Sequence, residues 1–321
     1  MLAPGRVDAL LQRLAQPLAR GLDLPHLPPH FPLVAYSALG FTAVHVALAP
    51  LLSRWLAPES YGKLKGRRAR NNWNIHIVSL VHAVAIIALA LRAFNQPALA
   101  ADKVFGWHET AEVANSVALG YFIWDTIDAI VNFTDLGFVL HGLACVVTYS
   151  LTFTPYLQYF SCRFLLWELS TPFLNIHWFL DKTGRTGSTL QLVNGILLLS
   201  TFFFVRIVYG WYISVTFWRV MFARATRDAM PRPVWAVFLL GHATLTLLNL
   251  LWLSKMVRAL RRRFDDPEDL DKQPLLGSAA GLAAAPPADA DTGVRPPTPP
   301  RSASSSPPRN YTSTDPVRGA A

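Results

Sequence analysis

Apolar positions along this chain gather into long runs separated by short polar islands. The runs fall at roughly 33–53, 73–93, 112–131, 137–154, 157–179, 190–216 and 234–257. A helix that crosses a bilayer needs about 20 mostly apolar residues. The pattern therefore predicts an all-α integral membrane protein with about seven transmembrane helices. The fourth run is the shortest, which fits a thin membrane, a favourable neighbour or a re-entrant segment. Ahead of the first run the pattern changes. In "RVDALLQRLAQPLAR", Val7, Leu10, Leu11, Leu14 and Leu18 recur at helical spacing, with Arg6, Arg13 and Arg20 seven apart. This suits an amphipathic helix on a membrane surface within residues 1–30. An organellar transit peptide fits less well, because serine is absent there. "PHLPPHFP" is expected to break that helix.

Composition agrees: 52% of residues are hydrophobic and 15% charged, against about a quarter charged in soluble domains. The net charge of +9 is no nucleic-acid footprint, since the basic residues sit where apolar runs end. Residues 54–70 carry six basic residues against one acid. Residues 255–263 hold Lys255, Arg258, Arg261, Arg262 and Arg263 and no acid, and Lys182 and Arg185 face Asp181 alone in "DKTGRTG". With seven spans and the N-terminus outside, these loops share one side, which the positive-inside rule makes cytosolic. Arg219, Arg224, Arg227 and Arg232 fall on the other side. The expected setting is the endoplasmic reticulum or another endomembrane. Cys145 and Cys162 lie in apolar runs and read as buried and reduced. No metal-binding spacing occurs.

From about 265 to 321 the chain changes character, holding eleven of the 24 prolines. It reads as a disordered cytosolic tail. "DKQPLL" places Asp271 four residues before Leu275 and Leu276, a spacing that sorting adaptors can read. Ser306-Pro307 and Thr298-Pro299 offer phosphorylation sites. An inert spacer is the plainer reading.

Ionisable residues inside apolar runs are functional candidates, because burying charge in a membrane is costly. Asp125 and Asp128, three apart in the third run, share a helix face. They read as end caps or as partners for a histidine or a polar headgroup. His141 lies in the fourth run at a similar depth, with Asp135 placed to cap that helix. In the fifth run Ser161, Glu168, Thr171 and Asn175 make a polar stripe, and Pro172 is expected to bend the helix. Arg206, mid-way through the sixth run, is the cation expected to pair with Glu168. His76, Ser79 and His82 in the second run, and His242, Thr246 and Asn249 in the seventh, are further polar faces. Glu168, Arg206, Asn175, His82, His242 and Asn249 are therefore expected to line a common cavity. Each histidine also has a plain packing reading.

"RNNWNIHIVSLVHA", "GYFIWDTID", "DLGFVLHGLACVV" and "CRFLLWELSTPFLNIHWFL" resemble the TLC-domain family of multi-pass membrane proteins. "GYFIWD" and "ELSTPFLN" are most similar to its non-ceramide-synthase branch. The resemblance covers roughly 66–262, after a first span at 33–53. It implies a six-helix bundle, spans two to seven, around a central membrane-embedded cavity. Ceramide synthases of this family transfer an acyl chain from acyl-CoA to a sphingoid base, and carry two adjacent histidines where this chain has His141-Gly142. Other members are linked to lipid composition or trafficking. The resemblance implies a protein that binds membrane lipids and influences their composition, with no required cofactor. The alternatives are an N-acyltransferase with acyl-CoA as substrate, and a non-enzymatic trafficking protein. In the enzyme reading His141 would act as base and Asp128 or Asp125 would orient it.

Overall fold

The apolar runs become helices. The computed structural model describes residues 5–154 and 156–265, with side chains to 261. Among these residues no strand occurs. The tail residues Asp271, Leu275, Leu276, Thr298 and Ser306 lie outside the described residues. Helix α1 spans Arg6–Leu22, α2 Leu27–Leu56, α3 Gly66–Phe94 and α4 Glu109–Val131. They are followed by α5, Leu136–Ser150, α6, Gln158–Phe164, and α7, Thr171–Lys182. The last two are α8, Thr189–Phe222, and α9, Arg232–Asp265. Five segments are long and apolar enough to cross a membrane: α2, α3, Leu136–Phe153, α8 and Arg232–Arg261 of α9.

Helix α1 behaves as its pattern predicts. Ala15 and Ala19 are buried, while Val7, Leu10, Leu14, Leu18 and Leu22 are each more than half exposed. The helix ends at Asp23, in the left-handed region at φ 53°. The proline-rich run does not break α1. It starts α2 instead, with proline in the first turn, where a missing N–H costs nothing. The first span thus begins six residues earlier than its apolar run. The corner is tied down where the backbone N–H of His26 donates to the carbonyl of Phe153 at 2.9 Å.

Helix α3 is uninterrupted for 29 residues, about 43 Å at 1.5 Å per residue. It takes in part of the basic island, Arg67, Arg68 and Arg70. Helix α4 opens with Glu109 and Glu112 in its first turn, the favoured sign at a helix N-terminus. Glu112 is fully buried and accepts from Trp107 Nε1 at 2.7 Å and from the Gln158 amide, which fastens the start of α6 to α4. Close approach of small residues replaces hydrophobic drive in membrane bundles. At Gly120 an added Cβ would stand 2.6 Å from the Val34 carbonyl oxygen of α2. The first span is thus packed onto the bundle rather than set apart from it.

Two of the helix breaks lie against each other in the bundle. Between α6 and α7 the chain runs as a 3-10 helix over Leu165–Ser170. Pro172 lacks an N–H and crowds the carbonyl four residues before it, so the break falls just N-terminal to the proline. Helix α8 contains a π-helical turn over Phe203–Tyr209. The fourth segment is continuous. Asp135 Oδ1 caps it by accepting from Gly137 N at 2.6 Å, as expected, and a 3-10 turn at Leu151–Phe153 closes it.

Candidate functional site

The two helix breaks lie beside a cavity at the centre of α5, α6, α8 and α9. Its volume is about 80 Å³ counted at the centres of water-sized spheres, and aromatic and aliphatic side chains supply most of its wall. Four ionisable side chains come from the broken stretches and from α5 and α9: His141, Glu168, Arg206 and His242. An apolar wall with a few convergent polar groups is the usual chemistry of a small-molecule site, and this space is narrower than the about 300–1,000 Å³ typical of one.

Arg206 organises this cluster. The π turn brings its guanidinium between the 3-10 segment and α9. Nε donates to the Trp167 carbonyl at 3.0 Å and to Ser170 Oγ at 3.1 Å. Nη1 donates to Asn249 Oδ1 at 3.0 Å, and Nη2 lies 3.6 Å from Glu168 Oε1. A 3-10 turn leaves carbonyls less well satisfied than an α-helix, and Arg206 uses one of them. The expected Glu168–Arg206 pair therefore forms, and Asn249 stands behind it as a holder of Arg206.

His141 lines the same cavity. Its Nε2 is 3.8 Å from Cys145 Sγ one turn later, and its ring meets Trp252 edge-on at 5.4 Å. Nδ1 is buried without a hydrogen-bond partner among the described residues. His242 Nε2 is 2.9 Å from Ser214 Oγ, and its ring stacks on Phe217 at 4.5 Å. Cys145, Tyr149 and Ser161 also line the space. The sequence marks Cys145 as buried and reduced, and says nothing of its place beside His141. Both cysteines are buried and free.

The structure separates His141 from the two aspartates. No hydrogen bond joins them among the described residues. Asp128 accepts from Asn71 Nδ2 at 3.2 Å and from Asn132 Nδ2 at 2.9 Å. Asp125 and Asp128 border a small gap next to Asn71 and Phe138. Sharing a face of α4 did not decide which neighbour that face meets. If His141 takes a carboxylate partner in this cavity, Glu168 is the one that shares it.

Asn175 and His82 also lie elsewhere. Asn175 Oδ1 is 2.8 Å from His76 Nδ1, and its Nδ2 donates to Ser79 Oγ at 3.2 Å. His82 stacks on Tyr121 with ring centres 3.6 Å apart. The stripe from Ser161 to Asn175 assumed an unbroken α-helix. Each 3-10 residue turns about 20° further than an α residue. The six-residue break thus swings Asn175 away from the cavity that Ser161 borders.

Gly142 explains the single histidine. A Cβ there would collide with Thr126 Oγ1 and stand 3.2 Å from the Thr126 backbone. Helices α4 and α5 touch at this point, so a second histidine after His141 has no room.

Comparison with known proteins follows the same lines. The TLC domain profile matches residues 72–258. A TLC domain-containing protein of Schizosaccharomyces pombe, named as uncharacterized, is 37% identical over 258 residues, covering 79% of this chain and 86% of its own. Topoisomerase I damage affected protein 4 of Saccharomyces cerevisiae is 27% identical over 260 residues, covering 78% and 92%. Mouse Protein CLN8 is 28% identical over 206 residues, covering 60% and 69%. No solved structure matches. The profile covers more than half of the chain, and the chain belongs to the TLC domain family of membrane proteins, on its non-ceramide-synthase branch.

Proposed function

We propose that this protein holds a membrane lipid in its central cavity and so influences membrane lipid composition. The observation that carries this reading is the cavity's polarity: a mostly apolar, aromatic wall in which His141, Glu168, Arg206 and His242 are the ionisable groups beside a few hydroxyls. A hydrocarbon chain fits the wall, and a lipid's polar group finds both a cation and hydrogen-bonding partners. Seven spans, an endomembrane location, a cytosolic tail and adaptors reading Asp271, Leu275 and Leu276 belong to the same proposal.

Labelling the purified full chain in nanodiscs with a photoactivatable fatty acid tests it. Labelled peptides should come from α5, α8 and α9. Leu245→Trp, which fills the cavity, should cut labelling several-fold while the unfolding midpoint, followed as a control, stays within a few degrees. Equal labelling in the variant would remove the basis for the proposal.

A second reading, acyl transfer, rests on the free Nδ1 of His141 and its contact with Cys145. It predicts turnover of labelled acyl-CoA onto sphingoid bases, in membranes lacking other such activity, that disappears in His141→Ala. Lipid retention without turnover in either protein leaves binding alone.

A further inference from the structure

A second space opens between the middle of α2, the start of α3 and the end of α4. It is an open crevice of about 630 Å³ on the same measure, and it shares no lining residue with the central cavity. One part of its lining is apolar: Leu39, Val46, Ile127 and Val131 are each more than half exposed. The other part is polar: His45, Arg67, Arg70, Asn71 and Asp128.

The charges there are arranged unusually. The first turn of α3 carries arginines and no acid, which opposes the helix dipole. Arg68 Nη2 is engaged by the Phe133 carbonyl at 2.9 Å. Arg67 and Arg70 are exposed, and among the described residues neither forms an ion pair. An anion between them would satisfy both arginines and the helix end. Asp128, in the same crevice, is held by the Asn71 and Asn132 amides. A π-helical turn over Val44–Leu48 interrupts α2 at this point. It leaves the His45 carbonyl to accept from Asn74 Nδ2 at 3.2 Å and sets His45 in the crevice wall. Such turns often mark functional places in helices.

We propose that this crevice is a headgroup site for a zwitterionic glycerophospholipid. The phosphate lies between Arg67 and Arg70, the headgroup amine meets Asp128, and the acyl chains follow Leu39, Val46 and Ile127. Two cations beside one fixed carboxylate match a phosphate ester that carries its own ammonium. A purely anionic headgroup would leave Asp128 facing like charge.

Native mass spectrometry of the detergent-solubilised full chain tests the site, with phosphatidylethanolamine and phosphatidylglycerol supplied in equal amounts. The wild type should retain phosphatidylethanolamine in preference, by about tenfold for one well-placed charge contact. The double variant Arg67→Ala, Arg70→Ala should lower retention of both lipids about tenfold or more. Asp128→Asn should move the preference toward phosphatidylglycerol. Both arginines are exposed, so the double variant should elute and melt as the wild type does, and its arm stands even where Asp128→Asn folds poorly. Undiminished retention in the double variant overturns the proposal. So does an unchanged preference in a folded Asp128→Asn. Displacement of the lipid by millimolar inorganic phosphate would make this a free-phosphate site and would likewise overturn it.

Discussion

Two regions of the bundle bury the same kinds of residue and use them differently. Between α3, α4 and α7, polar side chains close on one another. His76 meets Asn175, Asn175 meets Ser79, and His82 and His76 lie flat on Tyr121 and Trp178. Around α5, α8 and α9, His141, Glu168 and His242 face empty space. Helix regularity separates the two. Helices α3 and α4 run unbroken, whereas the cavity lies against a 3-10 break and a π turn. The crevice also sits beside a π turn, in α2. A polar residue in an apolar run therefore says little by itself. The two larger spaces lie beside departures from regular helix, whereas the gap at Asp125 and Asp128, between regular helices, is small.

The sharpest way to break the contrast is Arg206→Met. It would strip Glu168 of its cation and leave Asn249 and Ser170 without their donor. Removing one partner of a buried pair costs about 3–5 kcal/mol. The unfolding midpoint, followed by tryptophan fluorescence in detergent, should fall steeply. Adding Glu168→Gln should recover much of the loss, because the stranded charge is gone. An Arg206→Met protein as stable as the wild type would mean that the cluster holds nothing together.

Asn175→Ala probes the closed region. Asn175 is fully buried, and its loss strands His76 Nδ1 and Ser79 Oγ. An unsatisfied buried group costs about 1–3 kcal/mol. Stability should drop by that amount, while fatty-acid labelling of the cavity stays as it was. Reduced labelling at unchanged stability would place Asn175 in the ligand's path, and the two regions would no longer be distinct.

Gly142→Ala tests the contact that replaces the second histidine. The new methyl group meets Thr126, and overpacking of this kind costs about 1–3 kcal/mol. In a Thr126→Ala background the penalty should shrink. Gly142→His should disrupt α4–α5 packing outright. A stable Gly142→His protein would show that the single histidine has another cause.

The helices were legible because apolar runs of membrane length leave few alternatives. Their ends were less so. Arg67 and Arg70 look like loop in a hydropathy pattern, yet both continue α3. Pro172 announced one helix break, while nothing in "FFFVRIVYG" announced the π turn at Arg206. The pairing of Glu168 with Arg206 was legible because each falls near the middle of its apolar run. The pairing of His141 with Asp125 or Asp128 was not. Spacing gives the shared face within a helix, and only tertiary packing sets how α4 is rotated against α5. The same limit misplaced His82, whose neighbours Tyr121 and Phe41 lie on other helices, and added to the 3-10 break in misplacing Asn175.

His82→Phe carries the smallest expected effect and separates packing histidines from cavity histidines. Both ring nitrogens of His82 are buried without a hydrogen-bond partner among the described residues. Its ring lies parallel to Tyr121 at an interplanar angle of 4°, with Phe41 edge-on at 5.5 Å. A phenyl ring keeps that stacking and removes two unsatisfied nitrogens, which offsets the small gain in volume. Stability should therefore stay within about 1.5 kcal/mol of the wild type, and fatty-acid labelling should not change. His242→Phe should behave differently, since it breaks the contact with Ser214 Oγ and adds bulk to the cavity wall. Its labelling should fall even where its stability does not. If the two variants respond alike, burial beside aromatic rings is all that either histidine provides, and His242 leaves the candidate site.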